Sequence, residues 1–188
     1  MAAESVDPLR SIELQLPKAE AFHPAPQLKG NANIWRLLMK YDADVRNRLK
    51  ELFTSQKLAV LATQEGSQPY TSLMSFVATD DLKYIVFVTG QSTRKYENIT
   101  RNPHVALLID SRANLESDIN DALAVTAIGK AGEVEPEEKD YFISLYREKH
   151  PHLEEFLMSP SHVLIKVTIQ SYVVVNRFQN VSEFIPFR

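Results

Sequence analysis

The chain has 188 residues, with 21 Lys and Arg against 24 Asp and Glu, a formal net charge of −3 and no cysteine. That length fits one domain with a core large enough to need no covalent staple. The missing thiols exclude disulfides, Cys-ligated metals and a thiol nucleophile. The mildly acidic balance lacks the basic stripe of a general nucleic-acid binder. The longest apolar runs, such as Ile85-Val86-Phe87-Val88, are of strand length, far from the ~20 residues that cross a bilayer. The first residues show no apolar leader, so the cytoplasm is the expected compartment.

Residues 1–33 read as an N-terminal tail: Pro8, Pro17, Pro24 and Pro26 interrupt any period, and Gly30-Asn31-Ala32-Asn33 follows. The domain is expected over 34–188. Ile34, Leu37, Leu38, Tyr41, Val45, Leu49, Leu52 and Phe53 recur every three or four residues and predict an amphipathic helix, in one piece or broken near Tyr41-Asp42. The period then drops to two. Leu58–Thr63, Pro69–Ala78 and Lys83–Thr89 are predicted strands, joined by turns at Glu65-Gly66 and Asp80-Asp81 and therefore antiparallel. A short helix over Arg94–Arg101 ends before Asn102-Pro103. His104–Asp110 is the next strand, 111–121 a polar loop, and Ala122–Val134 a long strand with Gly129 and Gly132 as bends or bulges. Pro136 opens a helix with acids in its first turn. A helical segment through Leu153, Phe156 and Leu157 follows, and Val163–Thr168 and Tyr172–Phe178 close the chain as strands. Consecutive antiparallel strands without crossover helices predict a mainly β fold with peripheral helices, about six to seven strands closed into a barrel.

The most informative stretch is Gly90-Gln91-Ser92-Thr93-Arg94-Lys95. Two cations open a helix, against the macrodipole, at a cost of roughly 0.3–1 kcal/mol each if exposed. Either Ser92 or Thr93 caps the helix and the cations lie in water, or the free amides, both hydroxyls, Arg94 and Lys95 converge on an anion such as a phosphate. The strand Tyr70–Val77 carries Ser72, Leu73, Met74 and Ser75 and no long charged side chain. It is either an ordinary barrel strand or a wall for a flat ligand. The histidines show no metal-ligand spacing, and no serine has a nucleophile-elbow context. No residue stands out as a catalytic acid or base; Tyr70, Tyr96 and Arg112 are candidates for substrate contact.

LAVLATQEGSQPYTSLMSFV, IVFVTGQSTRKYENITRNPHVALLID and AVTAIGKAGEV, in that order, resemble the pyridoxamine 5′-phosphate oxidase-related, FMN-binding split-barrel superfamily. The resemblance implies a homodimer with FMN at the subunit interface and a small-molecule substrate, without nucleic acid or membrane. By position it places Ser72, Leu73, Met74 and Ser75 along the flavin and ribityl chain and Val88 and Thr89 beside the ring. Thr93, Arg94 and Lys95 fall at the phosphate, where the residues' own chemistry adds Ser92. The chain departs from the vitamin B6 oxidase at Ser72 and Val77, where that enzyme has Arg and Lys, at Ala124, where it has Gln, and in its SEFIPFR ending, so the resemblance does not extend to pyridoxamine phosphate as substrate. Relatives also bind haem or the deazaflavin F420; no histidine follows His162 to serve a haem. The implied function is an FMN-binding, flavin-dependent oxidoreductase, with a non-catalytic flavin- or haem-binding module as the alternative.

Overall fold

The computed structural model describes residues 32–176 and 180–187, so residues 1–31 of the expected tail and the end of the strand expected to reach Phe178 lie outside the described residues. One unbroken helix, α1, spans Ala32–Ser55. Val45, Leu49, Leu52 and Phe53 are buried at helical spacing, and Asp44 and Arg48 pair on the exposed side.

The sheet is built from β1 (Leu58–Glu65), β2 (Gln68–Ser75), β3 (Val77–Ala78), β4 (Tyr84–Gly90), β5 (His104–Asp110), β6 (Leu123–Glu133), β7 (His162–Asn176) and β8 (Asn180–Phe184). Its order is β2-β1-β5-β6-β7-β4-β3, with β8 added against β7. All pairings are antiparallel. Gly66, at φ 57 in the β1–β2 turn, adopts the left-handed backbone that favours glycine.

The second expected strand, Pro69–Ala78, is in fact two. It breaks at Phe76: Ser75 pairs with Leu58 of β1, whereas Val77 pairs with Val86 of β4. The two ends of the sheet order are thus one covalent segment, and the sheet curls into a split barrel. Phe76 itself is fully buried.

β4 is buried on both faces, which explains its continuous apolar run. Ile85 and Phe87 enter the barrel interior with Leu61, Leu107, Ile165 and Tyr172. Val86 and Val88 join an outer core with Phe142, Tyr146, Leu157 and Leu164. The outer core is formed by α4 (Lys139–Lys149) and α5 (Glu154–Met158), which follow short 3-10 turns at Pro136 and Pro151. The short helices are α2 (Arg94–Arg101), as expected, and α3 (Asp118–Asp121), in the stretch read as loop. None of the described helices is long and apolar enough to cross a membrane.

The two closing strands read from the sequence are one continuous β7 of 15 residues. Its polar middle, Gln170-Ser171, is a bulge: Ile128 pairs with Ser171 and Gly129 with Ile169, leaving Gln170 unpaired. Gly129 faces this irregularity so closely that a Cβ there would lie 2.4 Å from the Thr168 carbonyl oxygen. At Gly132 a Cβ would meet nothing within 4 Å.

The outer face of β2, β1, β5, β6 and β7 is uncharged in its middle and carries Asp110 on one side and His104 and Lys130 on the other. One cross-strand row runs Leu73, Val60, Leu108, Thr126, Val173, and the next Thr71, Ala62, Ala106, Ile128, Ser171. Neither contains a charge as far as β7, where Val173 then faces Glu183 of β8, and Leu73 is 67% exposed.

Gly129→Ala is expected to destabilise by more than about 2 kcal/mol, because backbone must move to admit the methyl group, while Gly132→Ala stays within about 0.5 kcal/mol of the parent. Chemical denaturation of both variants measures the difference.

Candidate functional site

The break at Phe76 separates the end of β2 from β4, and a cleft of about 490 Å³ lies there. Its walls come from the end of β2, the end of β4, the loop into α2, and the segment from Leu153 to the start of β7.

The loop is held locally. Gln91 N–H donates to the Ser161 carbonyl at 3.1 Å. Thr93 Oγ1 donates to the Gly90 carbonyl at 2.8 Å, so it accepts from Thr89 Oγ1 at 3.0 Å. Thr93 therefore spends its hydroxyl on the strand end and makes no side-chain cap on α2. Among the described residues, the amides of Ser92, Arg94 and Lys95 have no backbone acceptor, as the first turn of a helix requires. The helix is anchored by buried Ile99 and by Asn98, whose Nδ2 donates to Thr63 Oγ1 at 2.9 Å.

Of the residues expected at a cofactor, Leu73, Met74, Ser75, Val88, Thr89, Ser92, Thr93 and Lys95 line this cleft. Ser72 and Arg94 do not. Ser72 faces Leu61 across the β1–β2 ladder. The Arg94 guanidinium reaches Glu65 Oε2 at 2.7 Å and lies 4.9 Å over the Tyr70 ring, with half of its side chain exposed. Glu65 also receives Arg101 at 3.6 Å, and Arg101 binds Glu97. The cation that faces the cleft is Lys95. The candidates for substrate contact are dispersed: Tyr70 lies under Arg94, Tyr96 donates to Glu133 at 2.5 Å, and Arg112 pairs with Asp110.

The walls also include residues the sequence reading passed over: Leu58, Leu153, Phe156 and His162. His162 donates from Nδ1 to the Phe156 carbonyl at 2.9 Å, and its ring packs on Phe156 with centroids 4.1 Å apart. On the neutral ring this leaves Nε2 as an open acceptor. The ring lies over Gly90, where a Cβ would approach Cδ2 to 3.2 Å. Nothing local marks these residues, since α5 and β7 reach the cleft only through tertiary folding.

Tyr146 of α4 and His150, the residue that follows the helix, hold the strand break from behind. Tyr146 Oη and Ser75 Oγ lie 2.6 Å apart. His150 Nε2 donates to the Phe76 carbonyl at 2.8 Å, an acceptor at the point where the strand changes partners. Burial pushes the His150 pKa below the ordinary imidazole value and outweighs the carbonyl, which favours the charged form. Burial raises the Tyr146 pKa above the usual phenol value, against the opposing effect of the Ser75 hydrogen bond.

A family model described as pyridoxamine 5′-phosphate oxidase matches residues 45–176. The chain belongs to the pyridoxamine 5′-phosphate oxidase family. Among its relatives is a pyridoxamine 5′-phosphate oxidase homolog of Schizosaccharomyces pombe, 37% identical over 71 residues, which are 34% of this chain and 37% of that protein. The match thus spans about a third of the length of that curated relative. Solved structures share the fold at lower identity. General Stress Protein 26 of Bacillus anthracis aligns with a TM-score of 0.58 at 19% identity, covering 75% of this chain and 98% of that one. A haem-binding protein of Mycobacterium smegmatis gives 0.65 at 13%, covering 72% and 55%. An FAD-binding protein of Mesorhizobium loti gives 0.54 at 16%, covering 66% and 87%. The family fold therefore includes flavin- and haem-binding proteins.

His150 makes stability depend on pH in a definite direction. The folded chain resists the proton that the unfolded chain takes up near 6.5, so its contribution is complete above that pH and is lost as pH falls below it. Thermal unfolding of the parent at pH 7.5 and 5.5 is expected to lose more stability than the same pair measured on His150→Gln, which retains an amide donor but does not titrate.

Proposed function

We propose that this protein binds FMN in the cleft beside α2 and works as a flavin-dependent oxidoreductase, with a second copy of the chain completing the site. The observation that carries this reading is the coincidence, in one cleft, of an uncapped helix start bearing Lys95 and apolar walls from Leu73, Met74 and Val88. The first suits a phosphate and the second a planar ring.

The residues present fit the cofactor. The amides of Ser92, Arg94 and Lys95, the Ser92 hydroxyl and the Lys95 ammonium would hold the phosphate. Thr93, whose hydroxyl is already engaged, fixes the loop that presents them. Arg94 can join by leaving Glu65, because an exposed ion pair is worth only about 0–1 kcal/mol. Leu73, Met74, Val88 and Phe156 exclude water from the ring. Bound flavin supplies the electron-transfer chemistry, and the protein supplies orientation and electrostatic surroundings. Pyridoxamine phosphate is not the substrate we favour: Val77, where the vitamin B6 oxidase has Lys, lies 4% exposed in the outer core.

The apolar middle of the sheet's outer face, between Asp110 on one side and His104 and Lys130 on the other, supports the second copy. Leu58 and Leu73 belong both to the cleft wall and to that exposed face, so a partner covering the face also covers the cleft. Such large apolar patches mark association surfaces.

Absorbance after FMN soaking tests the reading: a yellow flavin band supports it, and a Soret band on haem titration with no flavin uptake overturns it. Lys95→Ala is expected to weaken FMN binding at least about tenfold, since a charge-assisted phosphate contact is worth ~1.5–3 kcal/mol, and to leave riboflavin binding unchanged. Arg94→Ala is expected to cost less, because Arg94 must first give up Glu65. For the interface, Leu108→Asp is expected to yield monomer by light scattering and to lose FMN with it; a flavin-loaded monomer would contradict the shared site.

A further inference from the structure

Ser75 is half-buried at the end of β2, on the wall of the cleft. Its Oγ and the Tyr146 Oη are 2.6 Å apart, and the distance alone allows either to donate. The surroundings separate the two cases. Tyr146 is 0% exposed, packed in the outer core and against the His150 ring at 4.9 Å. Its hydroxyl has no other partner among the described residues, and burial keeps it protonated. If Ser75 donated, the phenol proton would be left in the core without an acceptor, at a cost of about 1–3 kcal/mol. If Tyr146 donates, its proton is satisfied, and the proton of Ser75 is free for the cleft, where a ligand or water can accept it.

We infer that Tyr146 is a positioning residue that fixes Ser75 as a hydrogen-bond donor into the cleft, so the site takes ligands that present an acceptor, a carbonyl oxygen or an unprotonated ring nitrogen, at Ser75. Tyr146 is not part of the cleft wall and acts only through Ser75. On the flavin reading, Ser75 also bears on the cofactor's potential. The acceptors of an isoalloxazine ring gain electron density on reduction, and a hydrogen bond to an acceptor strengthens as its charge grows. A donor at Ser75 therefore binds the reduced cofactor more tightly than the oxidised one and raises its midpoint potential.

The test is a double-mutant cycle on the FMN-loaded protein, read as midpoint potential. Ser75→Ala is expected to lose about tenfold of the preference for reduced flavin, a fall of about 30 mV for a two-electron couple. Tyr146→Phe should move the potential the same way by at least about threefold. The double variant should match Ser75→Ala, and Ser75→Thr, which keeps the hydroxyl, should stay near the parent. A Tyr146→Phe potential equal to the parent's, or a further fall when it is added to Ser75→Ala, overturns the inference. A second measurement needs no flavin. The ligand-free protein should show a slowly exchanging Tyr146 hydroxyl proton by NMR, with a cross-peak to the Ser75 β-protons, that goes into fast exchange in Ser75→Ala. Absence of that proton in the parent overturns the inference by itself. A protected hydroxyl in a protein that takes up no FMN would instead sustain the donor assignment and reject the flavin reading.

Discussion

The change of partner at Phe76 is the constraint on which barrel and cleft both depend. A flat antiparallel sheet would leave β2 and β4 as exposed edges, each with a row of unpaired amides and carbonyls. Passing one segment from the β1 ladder to the β4 ladder closes the sheet covalently. It also opens a gap between the end of β2 and the end of β4, since neither continues along the other. That gap is the cleft. The backbone group stranded at the crossing, the Phe76 carbonyl, is buried and must find a donor, and His150 supplies it. Tyr146, one helical turn earlier, engages the adjoining Ser75. The outer helix α4 is thus part of the site although it lies behind it, and its packing against β4 through Val86 and Val88 keeps both contacts in register.

The electrostatic balance at α2 follows from the same geometry. β1 ends in Glu65 beside the helix start, and Glu65 gathers Arg94 and Arg101. The pairing offsets the cost of Arg94 against the dipole without any ligand, while Arg101 lies in the last turn, where a cation suits the dipole. The pairing is weak, because both partners are largely solvated. Lys95, turned into the cleft, has no such partner among the described ion pairs. A phosphate offering several charge-assisted bonds of ~1.5–3 kcal/mol each outweighs the Glu65 pairing, so the helix start is held in shape by Glu65 yet remains available to an anion.

Much of this was legible in the chain. α2, β5 and the long β6 follow from period and from punctuation at Thr93, Pro103 and Gly129. The elements misread share a cause: a local pattern that persists across a tertiary discontinuity, or breaks where none exists. Alternation runs through Tyr70–Val77 without interruption, so the handover at Phe76 leaves no mark. Gln170-Ser171 looks like a turn, yet the strand continues, because Gly129 opposite lacks the Cβ that would block the bulge. The helix opening Thr93-Arg94-Lys95 raises the expectation of an anion site but leaves open the direction of each cation. That choice depends on Glu65, which is 29 residues away. His162 is invisible for the same reason, since only the Gly90–His162 register brings its ring to the cleft.

The outer face of the sheet meets the cleft at two exposed leucines. Its two middle cross-strand rows are uncharged from β2 to β7, and two leucines of the same face, Leu58 and Leu73, also wall the cleft. Association through this face and retention of a ligand in the cleft would therefore not be independent. A second copy that buries Leu73 removes water from the cleft wall at the same time, and a ligand seated against Leu73 adds apolar surface for the partner to cover. Each event binds preferentially to the product of the other, so by mass action the two stabilise each other by equal amounts. On the proposed pair, a face that is a liability on an isolated barrel would be the means of closing the cleft.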